Sequence, residues 1–117
     1  PQCCAAMMNT LRCQMEVPEI IYEGCRAVCS ILLGNAHNRT QIGAAGGCEV
    51  VKEIVQRYYQ HPAVAEAACA AVLALAAGSL EHKQRFNGLQ QVVQHIMNNP
   101  QMPPQTKKEA KEASLRI

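Results

Sequence analysis

At 117 residues the chain is one domain's length, which excludes a multidomain enzyme. Apolar residues make up 49% but aromatics only 3%, and Trp is absent, so Ala, Val, Ile, Leu, Met and Cys must fill the core, a composition suited to closely packed helices. A net charge of +2 is too weak to imply nucleic acid or an anionic membrane surface, and the nine acids are all Glu, which removes Asp as a catalytic or metal-binding carboxylate.

The opening Pro1-Gln2-Cys3-Cys4 carries no initiating Met, basic stretch or apolar core of a signal peptide, so the chain reads as part of something longer. Met7 and Leu11 begin an amphipathic helix, and with Cys3, Cys4 and Met8 they are expected to form an open apolar edge. Pro18 suits the first turn of the next helix, and Gly34 suits its end, where a left-handed residue costs Gly least. Asn35 to Asn38 then make a polar turn into a short helix, Asn38 to Ala45, with Ile42 facing inward. Gly46-Gly47 breaks it, and Cys48, Val51, Ile54, Val55 and Tyr58 recur at helical steps. Of Tyr58 and Tyr59, one ring is expected in the core and the other on the outer surface.

The same order then returns. Pro62 to Gly78 is a second Pro-to-Gly helix, Ser79 to His82 a turn, Leu80 to Asn87 a short helix with Phe86 inward, Gly88 a break, and Leu89, Val92, Val93 and Ile96 another amphipathic stripe. Pro103 opens a last helix with Ala110, Ala113 and Ile117 on one face. At a spacing of 44, Pro18 falls on Pro62, Cys25 on Cys69, Val28 on Val72, Gly34 on Gly78 and Ile42 on Phe86. At a spacing of 41, Pro62 falls on Pro103, Cys48 on Leu89, Val51 on Val92 and Val55 on Ile96; backwards by 44, Val51 falls on Met7. Periods of ~40 to 47 residues are those of stacked helical repeats.

The stretch from Gly34-Asn35-Ala36-His37-Asn38-Arg39 through Gly46-Gly47-Cys48 to Val50-Val51-Lys52-Glu53-Ile54-Val55 resembles an armadillo repeat, and Pro62 to Gly78 resembles that repeat's long third helix. HEAT repeats are the nearest confusion, above all at the C-terminal end. The resemblance implies an all-α, right-handed solenoid of about two to three three-helix repeats. It divides the chain into a partial repeat over 1–33, a complete one over 34–78 and a partial one over 79–117, as a fragment of a longer armadillo protein. Third helices of such repeats line a concave groove that holds peptides or partner proteins, in some members through Trp and Asn one helical turn apart. At the matching positions this chain has Arg26 and Ser30, Ala70 and Ala74, and Lys111 and Leu115, so that clamp is missing.

The groove expected here is floored by Ala67, Ala70, Ala74 and Ala77, where small side chains admit another helix or backbone, and rimmed by Glu23, Arg26, Ser30, Glu66, Lys107, Lys108 and Lys111. Lys107, Lys108 and Lys111 alternate with Glu109 and Glu112 in the manner of an exposed helix, and no aromatic interleaves with them to suggest a nucleic-acid surface. The seven cysteines lie mostly in apolar helical patterns and read as reduced thiols, with Cys25 and Cys29 sharing a helical face. His37, His61, His82 and His95 fall at turns or helix ends, none at metal-ligand spacing, and no catalytic constellation is visible. The run Ala63 to Ala77 is fifteen residues long and contains Glu66, short of the ~20 that cross a bilayer. The expectation is a non-catalytic protein-interaction scaffold without cofactor or metal, cytoplasmic or alternatively nuclear, binding a protein or peptide but neither nucleic acid nor membrane. The alternative is an assembly module that stacks on its parent chain or on another copy through open repeat ends.

Overall fold

A computed structural model describes residues 2–117, with side chains from residue 4 onward. Its elements are eight helices: α1 (Gln2–Cys13), α2 (Pro18–Leu32), α3 (Ala36–Ala44), α4 (Gly47–Tyr58), α5 (Pro62–Ala76), α6 (Leu80–Arg85), α7 (Gln90–Asn98) and α8 (Pro104–Arg116). The inner layer is α2, α5 and α8 side by side, with α5 packed against both neighbours; α4 and α7 back α5 and α8, and α1 packs on α2 and α4. The fold is therefore all-α with a repeat-like order. Among the described residues no helix is long and apolar enough to cross a membrane.

The composition explains the layering. Along α5, Val64, Ala65, Ala68, Cys69, Ala71, Val72, Leu75 and Ala76 are all fully buried, because a helix of small side chains can sit close to neighbours on several sides. The outer helices bury one stripe each: Cys48, Val51, Ile54 and Val55 on α4, Val93 and Ile96 on α7. Ile42 and Phe86, from the short helices, fill the space between layers and are inaccessible to solvent.

Units 44 residues apart end their inner helices identically. Leu33 and Ala77 are extended (ψ 111° and 116°), and Gly34 and Gly78 follow in the left-handed region at φ 65° and 71°. Next, the side chains of Asn35 and Ser79 accept from the amides of Asn38 and His82, capping α3 and α6. The residue just capped then reaches back. Asn38 Nδ2 donates to the Ile31 carbonyl at 2.8 Å, and His82 Nδ1 donates to the Leu75 carbonyl at 2.7 Å. Both carbonyls are among the last four of their helix, which have no partner within it. A further one, Ala74 O, accepts from Arg39 Nε at 3.0 Å.

The structure corrects several expectations, mostly by one or two residues. Helix α3 begins at Ala36 rather than Asn38, because Asn35 serves as its cap; α6 stops at Arg85. Pro103 is the cap of α8 and Pro104 its first residue, so α5 and α8 begin 42 residues apart rather than 41. The left-handed Gly46 and Gly88 are also 42 apart, as are the buried pairs Val51 and Val93, Ile54 and Ile96. In α1 the fully buried methionine is Met8, with Met7 only partly buried: Met8 and Leu11 match the buried Val51 and Ile54 at a spacing of 43, because Met8 precedes Pro18 by one residue fewer than Val51 precedes Pro62.

The expected apolar edge on α1 is largely closed, with Cys4, Met8 and Leu11 in the core; the Cys3 side chain lies outside the described residues. Gly24 makes this closure fit, because a Cβ there would stand 2.2 Å from Leu11 Cδ2. Tyr58 and Tyr59 are both half-buried rather than split between core and surface. Tyr58 donates its hydroxyl to the Met15 carbonyl at 2.7 Å, tying α4 to the turn that follows α1, and the Tyr59 ring lies 6.0 Å from that of His95.

The shared carbonyl contact is open to test by urea unfolding. His82→Ala removes the donor to a buried carbonyl and is expected to cost about 1–3 kcal/mol. Replacing His82 by Asn, the residue that makes this contact one unit earlier, should recover more than half of the loss.

Candidate functional site

Two adjoining depressions cross the inner layer. One, of about 360 Å³, is lined by Tyr22, Arg26, Cys29, Ser30 and Leu33 from α2 and its cap, Glu66, Ala67 and Ala70 from α5, and Glu109 from α8. The second, of about 540 Å³, continues past Leu33, Arg39, Leu73, Ala74 and Ala77 to Lys108, Glu112 and Arg116. They share Cys29, Leu33, Ala70 and Glu109, and so form one trough across α2, α5 and α8. Its floor is low because α5 presents alanines there, while longer side chains of α2 and α8 form the walls.

Of the residues expected to line the groove, Arg26, Ser30, Glu66, Ala67, Ala70, Ala74, Ala77 and Lys108 lie along this trough. Ala67 is only 7% exposed and adds little surface. Glu23 and Lys111 are exposed, but line neither depression, and Lys107 is half-buried and likewise outside them. For Lys111 the cause is the one-residue register difference: one step along a helix turns a side chain by about 100°. At the observed spacing of 42, the α8 positions equivalent to Ala70 and Ala74 are Glu112 and Arg116, and both line the trough.

Leu33, Arg39 and Glu109 are among the lining residues that escape the sequence reading. Leu33 is 85% exposed at the junction of the two depressions, because the extended cap before Gly34 turns its side chain out of the core. The only signal for it is its place directly before that glycine. Arg39, through its bond to Ala74 O, lies across the end of α5 and forms part of the wall. Glu109, within the mixed-charge run of α8, lines the depression together with Glu66, near enough for the two carboxylates to repel.

The trough's charges are arranged in zones. The guanidinium of Arg26 lies 5.6 Å from the centre of the Tyr22 ring, in cation–π range, which anchors a base at one end. Glu66 and Glu109 hold the middle, and Arg39, Lys108, Glu112 and Arg116 the other end. Thr106 Oγ1 is 3.4 Å from both Glu66 Oε1 and the Pro62 carbonyl. Burial, and then the neighbouring Glu66 carboxylate, raises the Glu109 carboxyl above its usual range, with Lys108 opposing. Among the described residues the ion pairs are Glu53–Arg57 and Glu81–Arg85, both outside the trough, so its charges are left for solvent or a partner.

Cys4, Cys13, Cys25, Cys29, Cys48 and Cys69 carry free thiols. Burial pushes those of Cys25 and Cys69 up to about 12, aided by neighbouring Cys29 and Glu109 respectively. Burial and adjacent carboxylates, Glu109 and Glu49, take Cys29 and Cys48 to about 11. Such thiols are packing groups rather than nucleophiles. Among the described residues no three His, Cys or Glu side chains are grouped to hold a metal ion.

No family model, curated protein or solved structure matches the chain.

Two measurements bear on this chemistry. At about pH 8 an aromatic disulfide reagent should modify the exposed Cys13 rapidly and reach Cys25, Cys48 and Cys69 only on unfolding. Because the folded state raises the affinity of Glu109 for its proton, the associated stability is present below the ordinary carboxylate range and is lost as pH rises through the raised value. Glu109→Gln should therefore stabilise the protein at pH 7, by less than about 0.5 kcal/mol given its solvent screening, and not at pH 4.

Proposed function

We propose that this chain is part of an armadillo-type repeat protein and acts as a non-catalytic interaction scaffold. In this reading its units are residues 1–33, 34–78 and 79–117, they stack into a right-handed solenoid, and the trough across α2, α5 and α8 takes a peptide or helical segment of another protein in the cytoplasm or nucleus. The observation that carries it is the trough itself: a continuous alanine-floored surface, with unpaired charge along its walls, crossing three successive inner helices. The repeated helix ends support the repeat assignment, since the same cap, left-handed glycine and carbonyl contact recur 44 residues apart.

The zoning of charge specifies the ligand further. An extended segment lying on Ala70 and Ala74 places a central Lys or Arg between Glu66 and Glu109. That arrangement relieves the repulsion between the two carboxylates and supplies electrostatic complementarity, which governs specificity and association rate. Small or aliphatic ligand residues suit the floor and the exposed Leu33.

Selection of a displayed library of random linear peptides against the full chain tests this reading. Enriched peptides should carry a basic residue flanked by small or aliphatic ones. Ala70→Glu or Ala74→Arg should abolish their binding without altering the helical spectrum, and replacing Glu66 and Glu109 together by Gln should weaken it about tenfold, or ~1.4 kcal/mol. Peptides that bind equally well to the Ala74→Arg protein would refute the trough as the site.

A further inference from the structure

Asn87 is the one asparagine in the chain followed by glycine. The pair lies in the turn between α6 and α7, with Asn87 exposed and Gly88 in the left-handed region at φ 96°. The carboxamide carbon of an asparagine and the backbone nitrogen of the next residue are spaced to close a five-membered ring, and glycine alone leaves that nitrogen unshielded by a side chain. One unit earlier the same turn is Ala45-Gly46, and both residues there remain half-exposed although a further unit follows them. Exposure thus belongs to the place of this turn between a short helix and an outer helix, and Asn87 brings to it a reactive carboxamide that Ala45 lacks.

Two side chains bear on the Gly88 nitrogen. Its N–H donates to Gln90 Oε1 at 3.0 Å. An amide oxygen is too weak a base to take that proton, and the bond must break before the nitrogen can turn onto the carboxamide, so Gln90 restrains the reaction. Lys52 acts in the opposite sense. Its Nζ lies 3.7 Å from where a Gly88 Cβ would stand, and among the described residues it makes no ion pair. An ammonium so placed favours the negative charge left on the nitrogen when its proton departs.

We propose that Asn87 is a site of intramolecular deamidation, restrained by Gln90 and promoted by Lys52, which alters the junction of α6 and α7 with time. The Gly88 amide gives its proton to water and its nitrogen attacks Asn87 Cγ. The new N–C bond forms, the Cγ–Nδ2 bond breaks, and the Nδ2 group takes a proton from water and leaves as ammonia. Water then opens the succinimide at either carbonyl. Opening at Cγ restores the ordinary backbone with an aspartate side chain, whereas opening at the main-chain carbonyl gives isoaspartate, whose backbone runs through the side-chain methylene and is longer by one atom. Either product adds one carboxylate to the nine present, lowering the net charge of +2 by one. Isoaspartate alone disturbs the packing. Phe86 and Leu89, on either side of the pair, are inaccessible to solvent, and the Leu89 N–H donates to the Phe86 carbonyl at 3.2 Å across the turn. An added backbone atom between them is incompatible with keeping both side chains seated and that bond closed. The turn lies outside the trough, so the reaction is independent of what the trough binds.

Ageing the full protein at mildly alkaline pH tests this. Acidic species are followed by ion exchange, and the change is located by peptide mapping, in which aspartate and isoaspartate peptides separate. Conversion at Asn87 should exceed that at every other asparagine, with both products present. Gln90→Ala, at an exposed position and with the parent's circular dichroism, should speed it about threefold or more, the effect of one exposed hydrogen bond. Lys52→Gln should slow it. The isoaspartate fraction should unfold at lower urea concentration than the aspartate fraction. Conversion led by another asparagine, a rate at Asn87 that either substitution leaves unmoved, or equal stability of the two product fractions overturns the proposal.

Discussion

Everything in this molecule depends on how closely α5 can be approached. A helix flanked by α2 and α8 and backed by α4 has little room for large side chains, and α5 meets that constraint with alanine at most positions and Val, Leu and Cys at the remainder of its buried surface. Close packing gives dispersion contacts that a looser layer of bulkier helices would lose. The same economy sets the depth of the trough. Alanine on the accessible side of α5 leaves the middle helix lower than its neighbours, so a surface groove results from the residues that make the core compact.

The ends of the inner helices answer a second constraint. Their last carbonyls point toward the turn that leads into the next short helix, partly removed from water, and need donors. Asn38 and His82 supply them from equivalent positions with different side chains, and Arg39 supplies another across to α5. His82 also fits closely over α3, where Gly43 has no Cβ; one would stand 2.3 Å from His82 Nε2. Arg85 then donates to the Gly43 carbonyl, joining α6 to α3 by a second polar contact. Contacts between successive units are therefore both apolar and directional, which restricts how one unit sits on the next.

Charge follows a different logic from the core. The ion pairs, Glu53–Arg57 and Glu81–Arg85, lie one helical turn apart on exposed faces, where they contribute a few tenths of a kcal/mol. The trough's carboxylates and bases remain unpaired with one another, which costs stability at Glu109 and leaves recognition groups available.

Much of this was legible in the sequence. The prolines and glycines located the inner helices, the apolar periodicity located the core faces, and the recurrence of Cys25 at Cys69 and Gly34 at Gly78 gave their equivalence, because each of these signals is local to one helix and its turns. The alanines of the trough floor followed from the same pattern. What the tertiary structure alone decided was register across connections of unequal length. Pro104 rather than Pro103 begins α8, and that single residue exchanges Lys111 for Glu112 and Leu115 for Arg116 along the trough wall. It also decided which accessible positions converge: Leu33, Arg39 and Glu109 come from three separate segments, and their meeting depends on the packing angles of whole helices, to which no short stretch of sequence is sensitive.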